Sequence, residues 1–290
     1  MFSGVLTALV TPFRDGTVDE AALRELVEWQ IGAGIDGLVP CGSTGEAATL
    51  SHPEHRRVVE IVVEATRGRV PVVAGTGSNN TREAVELTRH ARDAGADAAL
   101  LISPYYNKPT QEGIVLHYAE IARETGFPLV VYNIPGRTGS NLLPATLARL
   151  ADLDHLVGVK EACGDLAQIA EVIAQCPADF AVLSGDDALS LPLLALGGQG
   201  VISTSSNVAP SEMVALLRAF ESGDLAAAQR AHYTLLPLFE ALFCETNPIP
   251  VKAALALLGR CGPEIRLPLT PLSQAPREAL QGVLKELGLL

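Results

Sequence analysis

Two polar side chains end apolar runs of the chain, where a buried amine and a buried phenol could carry out covalent chemistry. Lys160 closes the run Leu156–Lys160, and Tyr132 closes the run Leu129–Tyr132. An ammonium group held away from water loses solvation, so its pKa falls below the ordinary lysine value of about 10.4. The neutral amine is a nucleophile that forms a Schiff base with a carbonyl compound, and a nearby phenol can relay protons.

Each of these two residues also has a purely structural interpretation. Lys160 could extend to solvent or pair with the adjacent Glu161, and Tyr132 could be a core tyrosine with a satisfied hydroxyl group. The two runs are consecutive in the chain's pattern of apolar runs, so both side chains could face one cavity. A shared cavity would favour a catalytic role for both residues, while the structural interpretation stays open.

Two further segments are candidates for binding anions. The loop Gly42–Glu46 combines small side chains with free backbone N–H groups, which suit a carboxylate or a phosphate. It lacks the Lys-Ser/Thr pair of a P-loop, so a nucleotide is not expected. Arg137 lies in a glycine-rich turn after Tyr132 and could hold a carboxylate through two parallel hydrogen bonds. A solvated loop arginine is the alternative.

The histidines and cysteines do not form a metal-binding pattern. Neither H-x-H nor H-E-x-x-H occurs, and His52 and His55 are expected to share a helix face rather than a metal. The five cysteines are scattered without a C-x-x-C pair, as in a protein with reduced thiols. We therefore expect no metal, no other cofactor and no disulfide framework.

The composition restricts the classes of partner. The formal net charge is −12, and aromatic residues make up 4% of the 290 residues. Nucleic acids and anionic membranes require an excess of Lys and Arg, and single strands also require aromatic stacking, so neither partner is expected. The sequence has no signal-peptide pattern and no long apolar run, which predicts a cytoplasmic protein that acts on small molecules.

A repeating pattern predicts the elements that must position these side chains. Short β-branched or leucine-rich runs alternate with segments of helical spacing, which is typical of βαβ units and a parallel sheet. The eight predicted strands are Val5–Val10, Gly37–Pro40, Val70–Ala74, Ala98–Ile102, Leu129–Tyr132, Leu156–Lys160, Phe180–Leu183 and Gly200–Ile202. The predicted helices that follow them are Glu20–Ala33, Glu54–Thr66, Arg82–Ala94, Gln111–Thr125, Pro144–Leu150, Asp165–Gln175, Ala188–Leu196 and Ser211–Ser222.

Eight such units predict an α/β fold, a (β/α)8 TIM barrel over residues 1–222, with a doubly wound sheet as the alternative. No G-x-G-x-x-G follows the first strand, which counts against that alternative. Residues 223–290 have helical spacing without a strand and predict a C-terminal helical extension packed on the barrel. Its predicted helices are Leu225–Cys244, Val251–Leu258 and Pro276–Leu287. In a TIM barrel, catalytic residues lie at the carboxyl ends of strands, where Lys160 and Tyr132 are predicted.

Six sequence blocks, taken together, resemble the Schiff-base aldolase superfamily, which includes dihydrodipicolinate synthase and N-acetylneuraminate lyase. They extend over essentially the whole chain and are Gly42–Glu46, Gly75–Gly77, Pro104–Pro109, Tyr132–Gly139, Gly158–Glu161 and Asn247–Lys252. The set is most similar to the dihydrodipicolinate synthase family. Ser43 departs from that pattern, because many of those synthases have Thr and the lyases often have Ser, but it keeps the hydroxyl group. Arg137 favours the synthases, because the lyases do not usually place Arg in that turn.

The resemblance implies a role for each catalytic candidate. Lys160 would form an imine with pyruvate, and the derived enamine would attack the aldehyde of L-aspartate 4-semialdehyde before ring closure. Tyr132 would shuttle protons, linked to Ser43 or Thr44 and to Tyr106 from a neighbouring subunit. This reaction would belong to diaminopimelate and lysine biosynthesis.

The resemblance also implies substrate contacts, an assembly and a regulatory site. Thr44 and the backbone at Ile202 would hold pyruvate, and Arg137 would bind the carboxylate of the semialdehyde. The chain would form a homotetramer built from two tight dimers. L-Lysine would inhibit it at a dimer interface, and the residues that match this pattern are His52, His55, Asn79, Glu83 and Tyr105.

Two other functions stay open at the level of sequence. The first is a pyruvate-dependent lyase for N-acetylneuraminate or a 2-keto-3-deoxy sugar acid, with the same Lys160 and Tyr132 and a different aldehyde pocket. Arg137 distinguishes that lyase from the synthase. The second is a barrel that binds a keto acid without turnover, and the joint presence of Lys160, Tyr132 and Thr44 counts against it.

Overall fold

The structure, a computed structural model, describes residues 2–290 and contains a ring of eight parallel strands surrounded by helices. The barrel strands are β1 (Gly4–Ala8), β2 (Gly37–Val39), β3 (Val73–Gly75), β4 (Ala98–Ile102), β5 (Leu129–Asn133), β6 (Leu156–Glu161), β7 (Ala181–Ser184) and β8 (Gly200–Ser203). The barrel helices are α1 (Glu20–Gly32), α2 (His52–Thr66), α3 (Thr81–Asp93), α4 (Gln111–Thr125), α5 (Pro144–Ala151), α6 (Leu166–Gln175), α7 (Ser190–Ala195) and α8 (Pro210–Glu221).

The strand order confirms the TIM barrel and shows that the doubly wound alternative is wrong. Each strand pairs in parallel with its neighbours in sequence, and β1 lies between β2 and β8. The ring closes between β2 and β3, where Leu38 bridges Val72 and the Gly75 N–H donates to the Pro40 carbonyl at 2.8 Å. Gly75 is required there, because a Cβ at this position would lie 2.2 Å from the Cys41 carbonyl oxygen.

The apolar core has two layers, which follow from the alternation of side chains along each strand. One layer fills the inside of the barrel, with Leu6, Val39, Val130 and Ile202 among its members. The second and larger layer lies between the strands and the surrounding helices. The interior of the barrel is therefore packed with side chains rather than open as a pore.

The C-terminal residues form three helices that pack on the barrel's outer layer, as predicted. They are α9 (Leu225–Ala241), α10 (Ile249–Leu257) and α11 (Gln274–Glu286). Helix α9 packs against α8, and α11 packs against both α9 and α10. The division into a barrel unit of residues 1–222 and an extension of residues 223–290 stays a prediction, since it concerns how the chain folds rather than where its elements lie.

The predicted elements differ from the observed ones mainly at their ends. The predictions for β4 and α4 match the observed bounds, whereas the helix predicted over Ala188–Leu196 is a 3-10 turn, Asp187–Leu189, followed by the short α7. The sequence analysis missed a two-stranded ribbon, Phe13–Arg14 with Thr17–Val18. Its connecting Asp-Gly pair is a hairpin signal that the sequence did contain. Among residues 2–290, every helix is too short or too polar to cross a membrane.

Candidate active site

Strands β5 and β6 place Tyr132 and Lys160 side by side at the carboxyl end of the barrel. The two residues are register partners, and the Lys160 Nζ lies 4.4 Å from the centroid of the Tyr132 ring. Both are buried, with 5% of Lys160 and 6% of Tyr132 exposed. The structure thus brings the predicted amine and phenol into the wall of one cavity.

Burial makes the Lys160 amine easier to deprotonate. It lowers the pKa of Lys160 to about 8, an effect that the Asp187 carboxylate opposes and the Arg137 guanidinium reinforces. Burial also raises the pKa of Tyr132, with Arg137 lowering it and Asp186 raising it further. Near neutral pH the phenol therefore keeps its proton and can donate it, while a fraction of the amine is neutral and nucleophilic.

The cavity at Lys160 has a volume of about 40 Å³ and opens beside a wider groove of about 540 Å³. Gly185 leaves room for the lysine, because a Cβ there would lie 3.0 Å from the Lys160 Cε. Five of the sequence-predicted site residues line the small cavity: Ser43, Thr44, Tyr132, Arg137 and Lys160. The wall also contains residues from β1, β2 and β4, from the loops after β7 and β8, and from the C-terminal extension.

The loop Gly42–Glu46 is a compact turn that presents Thr44 to this cavity. The Gly45 N–H donates to the Gly42 carbonyl at 3.0 Å, and the Glu46 N–H donates to the Ser43 carbonyl at 3.2 Å. Thr44 is buried, and its Oγ1 accepts a hydrogen bond from the Asn247 Nδ2 at 2.9 Å. Asn247 thus holds the threonine hydroxyl group at the cavity wall.

Arg137 lies at the mouth of the cavity on a single helical turn, Pro135–Thr138. Its side chain is exposed, and the Nη2 donates to the Asn247 carbonyl at 3.1 Å. Arg137 also lines the wide groove, and an exposed guanidinium at this position suits a carboxylate that enters from solvent.

Two predicted residues do not line the cavity. Ile202 is buried in the apolar layer inside the barrel, so only its backbone could meet a ligand. Tyr106 has 89% of its surface exposed, adopts φ 71°, and borders neither the small cavity nor the wide groove. The chain does not bring Tyr106 to its own Tyr132.

The predicted lysine-site residues gather along the wide groove. His52, His55, Glu83 and Tyr105 line it, and Asn79 donates to the Tyr105 carbonyl at 3.1 Å. The Glu83 carboxylate contacts the His52 Nε2 at 2.8 Å and accepts a second hydrogen bond from Ser78.

His55 is held differently from the other groove residues. It is buried, its Nε2 contacts the Gly75 carbonyl at 2.8 Å, and burial lowers its pKa. The imidazole is therefore neutral and tied to β3. In residues 2–290 no group of three or more His, Cys, Asp or Glu side chains could hold a metal ion.

Three residues that shape the site were not predicted from the sequence. Asp187 is buried near Lys160, and one of its carboxylate oxygens accepts from the Ser205 N–H at 2.8 Å and its hydroxyl at 2.7 Å. Thr204 and Asn247 both line the cavity. The polar loop after β7 was a signal for Asp187, whereas no local pattern indicates that Asn247, on the extension, reaches the barrel's catalytic end.

Comparisons with known proteins agree with this geometry. The dihydrodipicolinate synthetase family model matches residues 1–287. A 4-hydroxy-tetrahydrodipicolinate synthase of Nitratidesulfovibrio vulgaris (strain DP4) is 60% identical over 100% of this chain and 99% of its own length. The dihydrodipicolinate synthase of Acinetobacter baumannii, solved with pyruvate, is 45% identical over 100% of both chains, with a TM-score of 0.98. The enzyme of Cyanidioschyzon merolae, solved with lysine bound, is 42% identical over 100% of this chain and 99% of that chain, with a TM-score of 0.97.

Proposed function

This chain belongs to the dihydrodipicolinate synthetase family, and we propose that Lys160 is the residue through which it acts. It is a lyase with the activity of a 4-hydroxy-tetrahydrodipicolinate synthase, and it condenses pyruvate with L-aspartate 4-semialdehyde in diaminopimelate and lysine biosynthesis. One observation carries the assignment of Lys160: its buried Nζ lies 4.4 Å from the Tyr132 ring centroid in a cavity at the carboxyl end of the barrel.

The first half-reaction forms a covalent intermediate on Lys160. The neutral amine attacks the keto carbon of pyruvate, and loss of water gives an imine. Departure of a proton from the pyruvate methyl group converts the imine into an enamine. Tyr132, whose pKa is raised by burial, donates a proton to the hydroxyl group that leaves as water. In the reverse reaction it accepts a proton.

The second half-reaction joins the two substrates. The enamine carbon attacks the aldehyde carbon, and the aldehyde oxygen takes up a proton to become a hydroxyl group. The amino group of the semialdehyde then attacks the imine carbon and displaces Lys160, which closes the ring and frees the enzyme. The lysine amine is regenerated in each cycle.

The surrounding residues bind and orient the substrates. Thr44 and the backbone at Ile202 hold the pyruvate carboxylate, and the Ser43 or Thr44 hydroxyl group passes protons to Tyr132. Arg137, exposed at the cavity mouth, binds the carboxylate of the semialdehyde. These roles are supported by the positions of the side chains around Lys160.

The active form is proposed to be a homotetramer in which Tyr106 completes a neighbour's site. The support is its exposure of 89% on a chain where it borders neither cavity. Mixing inactive Tyr106→Phe chains with inactive Lys160→Ala chains should restore activity in hybrids, because one site then keeps both groups. Verified hybrids without activity would place Tyr106 at its own site.

L-Lysine is proposed as an inhibitor that binds in the wide groove. Glu83 would take the ligand's ammonium group, Asn79 and Tyr105 would contact its carboxylate, and His52 and His55 would line the rest of the site. A lysine-bound relative supports this proposal. Inhibition that weakens in Glu83→Ala is expected, and an L-lysine titration that changes neither rate nor melting temperature would contradict it.

A coupled assay tests the overall activity. Turnover is expected with pyruvate plus L-aspartate 4-semialdehyde, and none with N-acetylneuraminate or 2-keto-3-deoxygluconate. Lys160→Ala serves as the inactive control. Cleavage of either sugar acid at a rate that matches the condensation would contradict the assignment. The cytoplasmic location stays a prediction.

A further inference from the structure

A buried ion pair joins the active-site loop to the C-terminal extension. The Lys252 Nζ lies 2.6 Å from the Glu46 Oε1, and the two side chains are 1% and 0% exposed. Glu46 ends the loop that carries Ser43 and Thr44, and Lys252 lies in the first turn of α10. The contact connects positions 206 residues apart in the chain.

Both carboxylate oxygens of Glu46 are engaged by residues of the C-terminal extension. Oε1 accepts from Lys252, and Oε2 accepts from the Arg266 N–H at 3.2 Å. The Lys252 Nζ also lies 4.2 Å from the Phe13 ring centroid. Glu46 lines the wide groove but not the small cavity, and Lys252 lines neither, so neither side chain forms part of the wall around Lys160.

One short segment of the extension holds the loop at two points. Asn247 donates to the Thr44 Oγ1 at 2.9 Å, and Lys252, on the helix that starts just after Asn247, binds Glu46. Glu46 itself adopts φ 54°, a left-handed conformation that non-glycine residues rarely take up without tertiary support. The ion pair therefore supports a backbone geometry that the loop would not favour by itself.

A buried ion pair adds little net stability compared with an apolar pair of the same volume, because both charges lose their hydration. A role in stability alone therefore does not account for it. We propose that Glu46 and Lys252 are positioning residues that fix the Gly42–Glu46 loop, so that Thr44 binds pyruvate. This inference rests on the proposed function.

The test removes both charges while keeping the volumes. In Glu46→Gln/Lys252→Met the melting temperature should stay within a few degrees of the wild type. The KM for pyruvate should rise about 10- to 100-fold, because displaced binding groups hold the substrate less well. The pH at which the Lys160 imine forms should not move, because the charges near Lys160 are unchanged. A folded double variant with the wild-type pyruvate KM would overturn the proposal.

A matched control separates positioning from general damage. Arg89 and Glu124 form an interhelical ion pair between α3 and α4, and neither residue lines a cavity. Arg89→Met/Glu124→Gln should leave the pyruvate KM unchanged, and an equal rise there would overturn the proposal. If the first double variant does not fold, Glu46→Gln alone is measured, with the same rise expected and an unchanged KM counting against the proposal.

Borohydride trapping distinguishes this inference from the proposed function. The wild-type protein with pyruvate should carry a reduced adduct on Lys160. Failure to trap it would overturn the proposed function and this inference together. Trapping on Lys160 combined with an unchanged pyruvate KM in the Glu46 variants would overturn the positioning role alone.

Discussion

Two buried lysines, Lys160 in the barrel and Lys252 in the extension, have similar surroundings but differ in their charged partners. They are 5% and 1% exposed, and their Nζ atoms lie 4.4 Å and 4.2 Å from an aromatic ring centroid. Lys252 has a carboxylate at 2.6 Å, whereas among the described residues no salt bridge involves Lys160. Under the proposed function, that carboxylate distinguishes the ion-paired Lys252 from the nucleophile Lys160.

The physical reason is the energy of the charged form. Burial lowers the pKa of both lysines, but at Lys252 the Glu46 carboxylate opposes that change directly. At Lys160 the opposing charge is that of Asp187. One of its carboxylate oxygens already accepts hydrogen bonds from the Ser205 N–H and the Ser205 hydroxyl group. An amine without a contacting counter-ion loses its proton more readily, which is the property that imine formation requires.

The largest expected effect separates the two lysines by activity. Lys160→Ala should lower kcat by at least about 1,000-fold, because the covalent route is lost. Borohydride reduction with pyruvate, followed by mass spectrometry of the digest, should place the adduct on Lys160. Labelling on Lys252 or Lys108 with Lys160 untouched would reverse the assignment.

The two lysines should also differ in their effect on stability, and here Lys252 should be the more important residue. Lys252→Met leaves Glu46 charged and buried, and should lower the free energy of unfolding by about 3–5 kcal/mol. Lys160→Met removes an amine that lacks a contacting counter-ion, so that variant should be as stable as the wild type or more so. Urea unfolding of both variants measures the difference. Equal losses would show that Lys160 also has a structural role.

Arg137 should affect both the use of the semialdehyde and the pKa of Lys160. Arg137→Ala should reduce kcat/KM for the semialdehyde by about 10- to 150-fold, the cost of losing a charged hydrogen bond of about 1.5–3 kcal/mol. Imine formation with pyruvate should fall far less. Since the guanidinium lowers the pKa of Lys160, that pKa should rise in the variant. Equal losses in both half-reactions would show that Arg137 supports the structure instead.

The smallest effect is a pH dependence. The rate of imine formation should fall about tenfold per pH unit below pH 8 and level off above it, because only the neutral Lys160 amine reacts. Stopped-flow or rapid borohydride quenching at saturating pyruvate measures this rate. A profile that levels off near the ordinary lysine value would contradict the effect of burial.

The same pKa shift has a consequence for stability, with a defined sign. The folded-state pKa of Lys160 is about 8 and the unfolded value about 10.5, so between these values the unfolded chain binds more protons. The free energy of unfolding should therefore rise with pH across that window, and Lys160→Met should lack the rise. A matching slope in the variant would assign the effect to other groups.

Much of the fold and part of the site follow from the sequence. The alternation of apolar runs and helical segments predicts eight strands, and the structure contains all eight with small shifts at their ends. Since the carboxyl ends of barrel strands share one rim, the same pattern predicts that Lys160 and Tyr132 are neighbours. Strand order makes β5 and β6 neighbours, whereas the register that pairs Tyr132 with Lys160 is seen only in the structure, where it follows a shift between Leu129 and Val130.

The contacts made by the extension could not be predicted in this way. Asn247 lies 203 residues from Thr44, and Lys252 lies 206 residues from Glu46. Hydrophobic periodicity indicates which face of a helix is buried, but it does not indicate which segment packs against that face. The sequence predicts that the extension packs on the barrel. It does not predict that the extension reaches the catalytic loop.

The sequence by itself determined the strand-end positions of Lys160 and Tyr132 and the barrel that makes them neighbours, because both depend on local patterns repeated along the chain. Only the tertiary structure decided which buried lysine has a contacting counter-ion that stabilises its charge. That choice depends on whether a carboxylate from a distant segment comes within hydrogen-bond distance, as Glu46 does for Lys252 at 2.6 Å. Coulomb interactions depend on distance in space, and sequence spacing sets that distance only within one element.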